Sequence, residues 1–299
     1  MGKSLTLFTY TNIQHELTEI ALNKTIKSVP YDEILVCSDK QLNINDEYNF
    51  LELKKANWES YTHFVQKELY KFINTSHVLI VQYDGFASKP HMWNDNFLDY
   101  DYIGSPASSK HPVFKNILER TEFDFDYNTQ QFITLGGGFN LRSKKLLDTF
   151  SDDKFKISHP ISDPELNKQT ILPEDYNIAV FYRKILEREH EIKFAPLDLS
   201  LSFCSELLLG HESLGFHSIP HLPFFLSEKE TLFFLEKLKE KLDYKNLTVH
   251  HLMYSLCCVN YHEAIKFIMK KTNYLEGMRR YSFNIIDYNT CRSSLDETR

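Results

Sequence analysis

A carboxylate stands where an apolar stretch of the sequence gives way to a glycine turn. The run His77–Val81 (HVLIV) is followed at once by Gln82, Tyr83, Asp84 and Gly85. An aspartate at the end of a buried strand can reach a divalent cation that holds a diphosphate, because such hard ions share oxygen ligands with phosphate. The alternative is a turn aspartate that satisfies local amides. The motif alone leaves both interpretations open.

Three consecutive glycines form the second motif. Gly136, Gly137 and Gly138 lie between two short apolar runs that predict a hairpin, and Arg142 follows in the second run. Glycines cost backbone entropy in such a place, so they indicate either a close approach to a ligand or a structural bulge. Arg142 has the charge to pair with phosphate, although an ion pair is the commoner role of a single arginine.

Two acidic residues and a histidine complete the set. Glu174 and Asp175 follow Pro173 at the start of a predicted helix, where the helix dipole stabilises carboxylates and where acidic residues are also ordinary capping chemistry. For catalysis, one of them would turn into a cleft and accept a proton from a hydroxyl. His217 is either a metal ligand or a packed histidine with a hydrogen-bond partner.

These motifs follow elements of an alternating pattern. The β-type runs Ser4–Thr9 and Glu33–Ser38 flank the helical pattern Gln14–Ser28, and the amphipathic segment Trp58–Ile73 leads into His77–Val81. Strands that are apolar on both faces and separated by helices predict an α/β architecture with a mostly parallel central sheet. Ligands of such sheets bind at the strand ends, where the motifs fall.

The sequence pattern changes twice in the second half of the chain. The polar, proline-containing stretch Ser151–Ile171 predicts a surface loop that could close over a ligand. From about Leu226 onward the pattern is helical, which predicts a main domain of residues 1–225 and a helical C-terminal extension of residues 226–299. The apolar stripe of that extension either packs on the main domain or forms a homodimer face.

Composition limits the class of partner. Lys and Arg total 34 against 41 Asp and Glu, a net charge of −7, so no overall positive field attracts nucleic acid or anionic membranes. Five cysteines without a C-x-x-C pair favour a reducing compartment. Phosphate-binding motifs of the P-loop and G-x-G-x-x-G types are missing from the sequence.

The same reasoning predicts a location. No apolar run reaches the roughly 18 residues of a membrane span, and the first twelve residues do not have the pattern of a signal peptide. The protein is therefore expected in the cytoplasm. A basic run near the C-terminus is usually a solvated face, but it could contact the inner face of a membrane or an anionic acceptor; it consists of Lys266, Lys270, Lys271, Arg279 and Arg280.

The order of the motifs resembles a known family. QYDGF (82–86), YDYIG (100–104), GGGFNLRS (136–143), PED (173–175), FCSE (203–206) and GFH (215–217) resemble a family of glycosyltransferase-like domains. That family is in turn similar to the nucleotide-sugar glycosyltransferases of the GT-A fold. The resemblance covers about residues 5–221 and implies a Rossmann-like fold. It also implies transfer of a sugar from a nucleoside diphosphate sugar, with UDP expected, to an acceptor hydroxyl.

The resemblance implies roles residue by residue. The Asp-x-Asp motif of GT-A enzymes, which binds metal and diphosphate, corresponds to residues 82–84, so Gln82 replaces the first aspartate. Asp84 remains as the expected contact to Mn²⁺ or Mg²⁺, and His217 corresponds to the late histidine that completes the metal shell. Asp175, with Glu174 beside it, corresponds to the catalytic base of inverting members.

The resemblance also implies a donor site. The glycine triplet corresponds to the family's glycine-rich loop on the acceptor side, and residues 9–11 correspond to the loop that faces the nucleotide base. The residues expected around the donor are Thr9, Tyr10, Thr11, Gln82, Tyr83, Asp84, Gly136, Gly137, Gly138 and Arg142.

Several assignments stay open at the sequence level. The acceptor could be a glycan, a lipid, a protein or a nucleic acid. A nucleotide-sugar hydrolase would use the same groups on water. A catalytically degenerate sugar- or nucleotide-binding module would explain Gln82 as a sign of lost metal binding, although the joint presence of Asp84, Asp175 and His217 weighs against it.

Overall fold

The structure is a computed structural model that describes residues 2–53, 57–108, 132–157, 160–163, 168–171, 173–206, 212–238 and 247–272. The chain divides into two compact units, Met1–His217 and Ser218–Arg299. The division falls before the boundary expected after residue 225, because the turn Ile219–His221 and the helix Leu222–Phe225 belong to the second unit.

Strands and helices alternate through the first unit. Its strands are β1 (Leu5–Thr11), β2 (Glu33–Ser38), β3 (Asn49–Glu52), β4 (His77–Val81), β5 (Gly85–Ala87), β6 (Tyr102–Ile103), β7 (Ser105–Ser108), β8 (Phe132–Leu135), β9 (Phe139–Ser143), β10 (Pro160–Asp163), β11 (Lys168–Ile171), β12 (Cys204–Ser205) and β13 (Gly215–His217). Its α-helices are α1 (His15–Ile26), α2 (Trp58–His63), Lys144–Phe150, Glu174–Tyr176, Arg183–His190 and Leu197–Phe203.

A six-stranded sheet forms the centre of this unit, in the order β3-β2-β1-β4-β9-β6. The first four strands pair in parallel, whereas β9 is antiparallel to both β4 and β6. The α/β class is therefore confirmed, and the sheet is mixed: of its six strands, β9 runs opposite to the other five. The first residue of β9, Phe139, pairs with Val81, the last residue of β4.

The central strands β1, β2 and β4 are buried along nearly their whole length, as their sequence patterns predict. The predicted helix in Gln14–Ser28 is confirmed as α1, which buries Leu17, Ala21 and Leu22. The predicted segment Trp58–Ile73 is also helical: α2 continues as a π-helical turn, Phe64–Glu68, and a 3₁₀ turn, Leu69–Phe72. Its apolar residues pack with those of β1, β2 and β4 in one buried cluster.

Two segments differ from their predicted form. The strands on either side of the glycine triplet do not form a hairpin, because β8 pairs with β7 while β9 joins the central sheet. The glycines thus connect two sheets, and Gly136 has a φ of 95°, a conformation that glycine adopts without a steric penalty. The predicted loop Ser151–Ile171 contains the antiparallel pair β10 and β11; residues 158–159 and 164–167 lie outside the described residues.

The second unit is mostly helical in the part of the chain that the structure describes. Its helices are Leu222–Phe225, Glu228–Lys237, Leu247–Cys258 and His262–Thr272. Ser227 and Glu230 form a capping box that starts the second of these. None of the described helices is both long and apolar enough to cross a membrane. Arg279 and Arg280 of the predicted basic run lie outside the described residues, and the homodimer face stays a prediction.

Candidate active site at the ends of the central strands

The candidate site begins where β1 and β4 end side by side. The chain builds β2 and β3 on one side of β1 and places β4 on its other side, which makes this edge the topological switch point where α/β sheets bind ligands. Gln82, Tyr83 and Asp84 form the turn after β4 and are partly exposed. Backbone hydrogen bonds between Gln82 and Gly85, at 2.9 and 3.1 Å, close this turn.

Glycines bring the other motifs against this turn. A Cβ atom added to Gly138 would lie 2.2 Å from Nε2 of His217 and 3.0 Å from Oε1 of Gln82. His217 pairs with Gly85 across β13 and β5, and a Cβ on Gly85 would lie 2.7 Å from the Gly138 carbonyl oxygen. The absence of side chains at these positions therefore lets His217, Gln82 and the glycine loop meet.

His217 is held by a carboxylate that the sequence analysis did not select. Nδ1 of His217 lies 2.7 Å from Oε1 of Glu206, and Ser105 Oγ donates to the other carboxylate oxygen. Burial lowers the pKa of His217, but the charge and hydrogen bond of Glu206, with the charges of Asp84 and Asp175, raise it to about 10. The signal for Glu206 was its place at the end of FCSE, a motif of the resemblance that had no assigned role.

Glu174 belongs to a buried network behind the site. Arg142 Nη2 donates to Glu174 Oε1 at 3.2 Å, and the side chains of both residues are at most 1% exposed. The Tyr61 hydroxyl donates to the same oxygen at 3.2 Å. Arg142 Nε donates to Asn140 Oδ1 at 2.8 Å. Arg142, expected among the donor contacts, is thus fully enclosed and paired with Glu174, because a buried guanidinium requires a partner.

Both carboxylates of the PED motif lie against the glycine loop. A Cβ on Gly137 would lie 3.1 Å from Glu174 Oε1 and 3.5 Å from Asp175 Cγ. Burial, together with the charges of Glu174 and Glu206, raises the pKa of Asp175 to about 7, although the nearby Arg142 lowers it. A carboxyl group with this pKa can accept a proton near neutral pH, which is what a general base requires.

Tyr10, near the end of β1, lies in a group of aromatic rings with two residues of α2. Thr9 and Thr11 are buried, and Tyr10 is partly exposed. The ring centroids of Tyr10 and Tyr61 are 5.4 Å apart, and Trp58, which is 50% exposed, lies 5.9 Å from Tyr61. Tyr61 and Trp58 were not selected from the sequence, because an aromatic residue in an amphipathic helix is more often part of the core.

The side-chain donor atoms at this edge of the sheet determine which residues could hold a cation. The described part of the chain contains no set of three or more His, Cys, Asp and Glu side chains placed to share a metal ion. Asp84 and Nε2 of His217 nevertheless offer donor atoms of the kinds that divalent cations bind, and Mg²⁺ is often held by one or two protein ligands plus substrate phosphate. The bond from Glu206 occupies Nδ1 of His217, so Nε2 is the nitrogen that remains for a cation.

Substitution of Gly138 by alanine should disturb this arrangement. The added Cβ would lie only 2.2 Å from Nε2 of His217, so the ring would have to move. A misplacement of a catalytic group by about 1 Å can lower the rate about 10²-fold. We expect a loss of this size in the transfer assay described below, with the fold checked by circular dichroism. Gly2→Ala is the control, because its Cβ would meet nothing within 4 Å. An active Gly138→Ala variant would contradict the packing described here.

The pKa of Asp175 also predicts a pH dependence of stability. Its pKa rises from 3.8 to about 7 in the folded state, so the folded chain binds this proton more tightly than the unfolded chain. The stabilising contribution is complete below about pH 4 and is lost as the pH rises through about 7. Chemical denaturation across this window should show the wild type losing free energy of unfolding relative to Asp175→Asn. Parallel curves for the two proteins would contradict the raised pKa.

Fold and site together define an α/β protein with a cluster of ionisable side chains at the ends of its central strands. Residues 43–217 match the family model described as "Protein of unknown function (DUF5672)", and the chain belongs to this family. The match includes Asp84, the glycine loop, Asp175 and His217, and it ends at the last residue of the first compact unit. Among curated proteins, none matches the chain.

Proposed function

We propose that this protein is a GT-A-type glycosyltransferase that moves a sugar from a nucleoside diphosphate sugar, with UDP expected, to an acceptor hydroxyl with inversion. The observation that carries this proposal is the meeting of Gln82, His217 and Asp175 around the glycine loop, at the switch point of the central sheet. Asp84 lies in the same turn as Gln82, and its charge acts on His217. Sugar transfer needs a place for a diphosphate and a base for the acceptor, and this edge offers both kinds of group.

In the proposed reaction, Asp175 accepts the proton of the acceptor hydroxyl. The hydroxyl oxygen then forms the new bond to the anomeric carbon while the bond from that carbon to the diphosphate oxygen breaks. The pKa of about 7 suits this role, because a base works best when its pKa is near the working pH. Glu174 is bonded to Arg142 and Tyr61, so its role in this proposal is to fix the helix start that carries Asp175.

The departing diphosphate lies beside Asp84 and His217 in this proposal. Without a divalent cation, the positive charge of His217, favoured by its raised pKa, attracts the diphosphate. With Mn²⁺ or Mg²⁺ present, Nε2 would release its proton, because only a neutral imidazole binds a metal, and the cation held by Asp84 and Nε2 would neutralise negative charge that develops on the leaving group. As part of the same proposal, the reaction takes place in the cytoplasm or at the inner face of a membrane.

Ligand-dependent melting tests the proposal directly. Nucleoside diphosphates and nucleotide sugars are added with and without Mn²⁺, because a ligand that binds only the folded state stabilises it by about 2.7 kcal/mol at a hundred times its Kd. We expect one nucleotide sugar to raise the melting temperature and Mn²⁺ to increase that shift. No shift with any of them, in protein with a cooperative melting transition, would overturn the proposal.

Product analysis then separates the remaining functions. The donor identified by melting is incubated with candidate glycan, lipid and protein acceptors, and the released nucleoside diphosphate is quantified. Release that depends on an acceptor supports transfer. Equal release without any acceptor would indicate a hydrolase, and binding without release would indicate a sugar- or nucleotide-binding module.

A further inference from the structure

Glu206 joins three segments of the first unit through its two carboxylate oxygens. It follows β12, which runs parallel to β13, the strand that carries His217. Its Oε1 lies 2.7 Å from Nδ1 of His217, and its Oε2 accepts a hydrogen bond from Ser105 at the start of β7. A Cβ on Gly136 would lie 3.4 Å from the same Oε2, so the glycine loop borders this carboxylate as well.

The bond to Glu206 determines which ring nitrogen of His217 faces the site. An imidazole nitrogen that bonds a carboxylate carries the proton and serves as a donor, which leaves the other nitrogen to act elsewhere. Nε2 lies against Gly138, so a rotation of the ring would lose the Glu206 bond and drive other ring atoms towards the glycine backbone. The ring is therefore fixed from both ends.

The side chains of Glu206 and His217 have similar and small exposures, 20% and 19%. A hydrogen bond to a charged group in such a partly enclosed place contributes more than an exposed ion pair. Glu206 lies on the far side of the imidazole from Nε2, and this separates it from any ligand that Nε2 binds.

We propose that Glu206 is the positioning residue of this site, which holds His217 with Nε2 directed at a phosphate-bound divalent cation. The identity of that ligand rests on the function proposed above, whereas the anchoring of the ring does not. Glu206 acts through His217 and contacts no substrate. Removing it should release the His217 ring from the link that Glu206 makes to Ser105.

The test compares two substitutions of Glu206 with a matched control. Glu206→Ala removes both bonds, and Glu206→Gln keeps an oxygen that can accept from Nδ1. Glu212→Ala is the control, since Glu212 is 66% exposed and, among the described residues, pairs with the exposed His91 at 3.5 Å and with Lys89 at 3.9 Å. Affinity for Mn²⁺ alone is measured by electron paramagnetic resonance, and the His217 ring is followed by ¹⁵N NMR.

Loss of an outer partner of a ligating histidine typically weakens metal binding by about 10–100-fold. We expect this loss for Glu206→Ala, a smaller loss for Glu206→Gln, and an affinity within about twofold of wild type for Glu212→Ala. We also expect the NMR signal of the protonated Nδ1 to change in Glu206→Ala without added metal. If Glu206→Ala does not fold, the Mn²⁺ affinity and the His217 NMR signal of Glu206→Gln test the assignment instead.

Folded Glu206 variants with wild-type Mn²⁺ affinity and an unchanged ring signal would overturn the assignment. If the wild type itself binds no Mn²⁺, the metal-assisted part of the proposed function fails. The ring signal then decides alone: a changed ring supports Glu206 as the anchor of His217, and an unchanged ring refutes it.

Discussion

Replacing Asp175 by asparagine is expected to lower the turnover number for sugar transfer by about 10²–10⁴-fold, the usual contribution of a general base. The amide has nearly the same size as the carboxyl group but cannot accept the proton of the acceptor hydroxyl. Because Asp175 is almost fully buried and its carboxyl group has a pKa of about 7, the neutral amide should fold at least as well at neutral pH. Initial rates at saturating donor measure the effect.

The control for this substitution is Asp153→Asn, an identical change at an exposed position. Its turnover should stay within about twofold of wild type. Donor affinity of Asp175→Asn, measured by the melting shift, should also stay close to wild type, since the proposed base faces the acceptor. Full transfer activity in a folded Asp175→Asn variant would refute the assignment of the base.

Replacing Arg142 by methionine should lower the free energy of unfolding by about 3–5 kcal/mol, because it leaves a buried carboxylate without its charge partner. Glu174 would keep only the Tyr61 hydroxyl among its described hydrogen bonds, and Asn140 would lose the bond from Arg142 Nε. Urea denaturation with an unchanged m value measures the loss.

Two variants accompany this measurement. Asp148→Asn breaks an exposed pair with Lys144, whose side chains are 51% and 29% exposed, and it should cost no more than about 0.5 kcal/mol. Arg142→Met combined with Glu174→Leu removes both charges, so it should recover much of the lost stability. A double variant as unstable as Arg142→Met alone would show that volume rather than charge determines the loss.

Local patterns were sufficient to predict the strands, the first helices and the places where chemistry could occur. β1, β2 and β4 are short runs rich in apolar and β-branched residues, and such runs are visible without knowledge of their partners. The same holds for Asp84 and for the glycine triplet, because a polar or glycine residue directly after a buried strand stands out locally. Their approach to His217 and Asp175, by contrast, follows from the fold.

The features that could not be predicted depend on contacts between distant segments. The direction of β9 is set by its pairing with Val81 and the rest of β4, which the residues of β9 do not encode by themselves. Arg142 looks like any single arginine until Glu174 is packed against it. Glu206 acquires its place only when β12 and β13 lie side by side, and the predicted loop Ser151–Ile171 contains strands that pair only with one another.

Asn140 has a consequence for the timing of ligand binding. Its amide nitrogen donates to the carbonyl oxygens of Gly136 and Gly137, at 2.7 and 2.8 Å, and the residue is fully buried. The buried Asn140 side chain thus holds the glycine loop in place by hydrogen bonds that do not involve a ligand. A ligand therefore meets the three glycines already ordered, so its affinity is not reduced by the cost of freezing a flexible segment, and its association rate is not limited by loop closure.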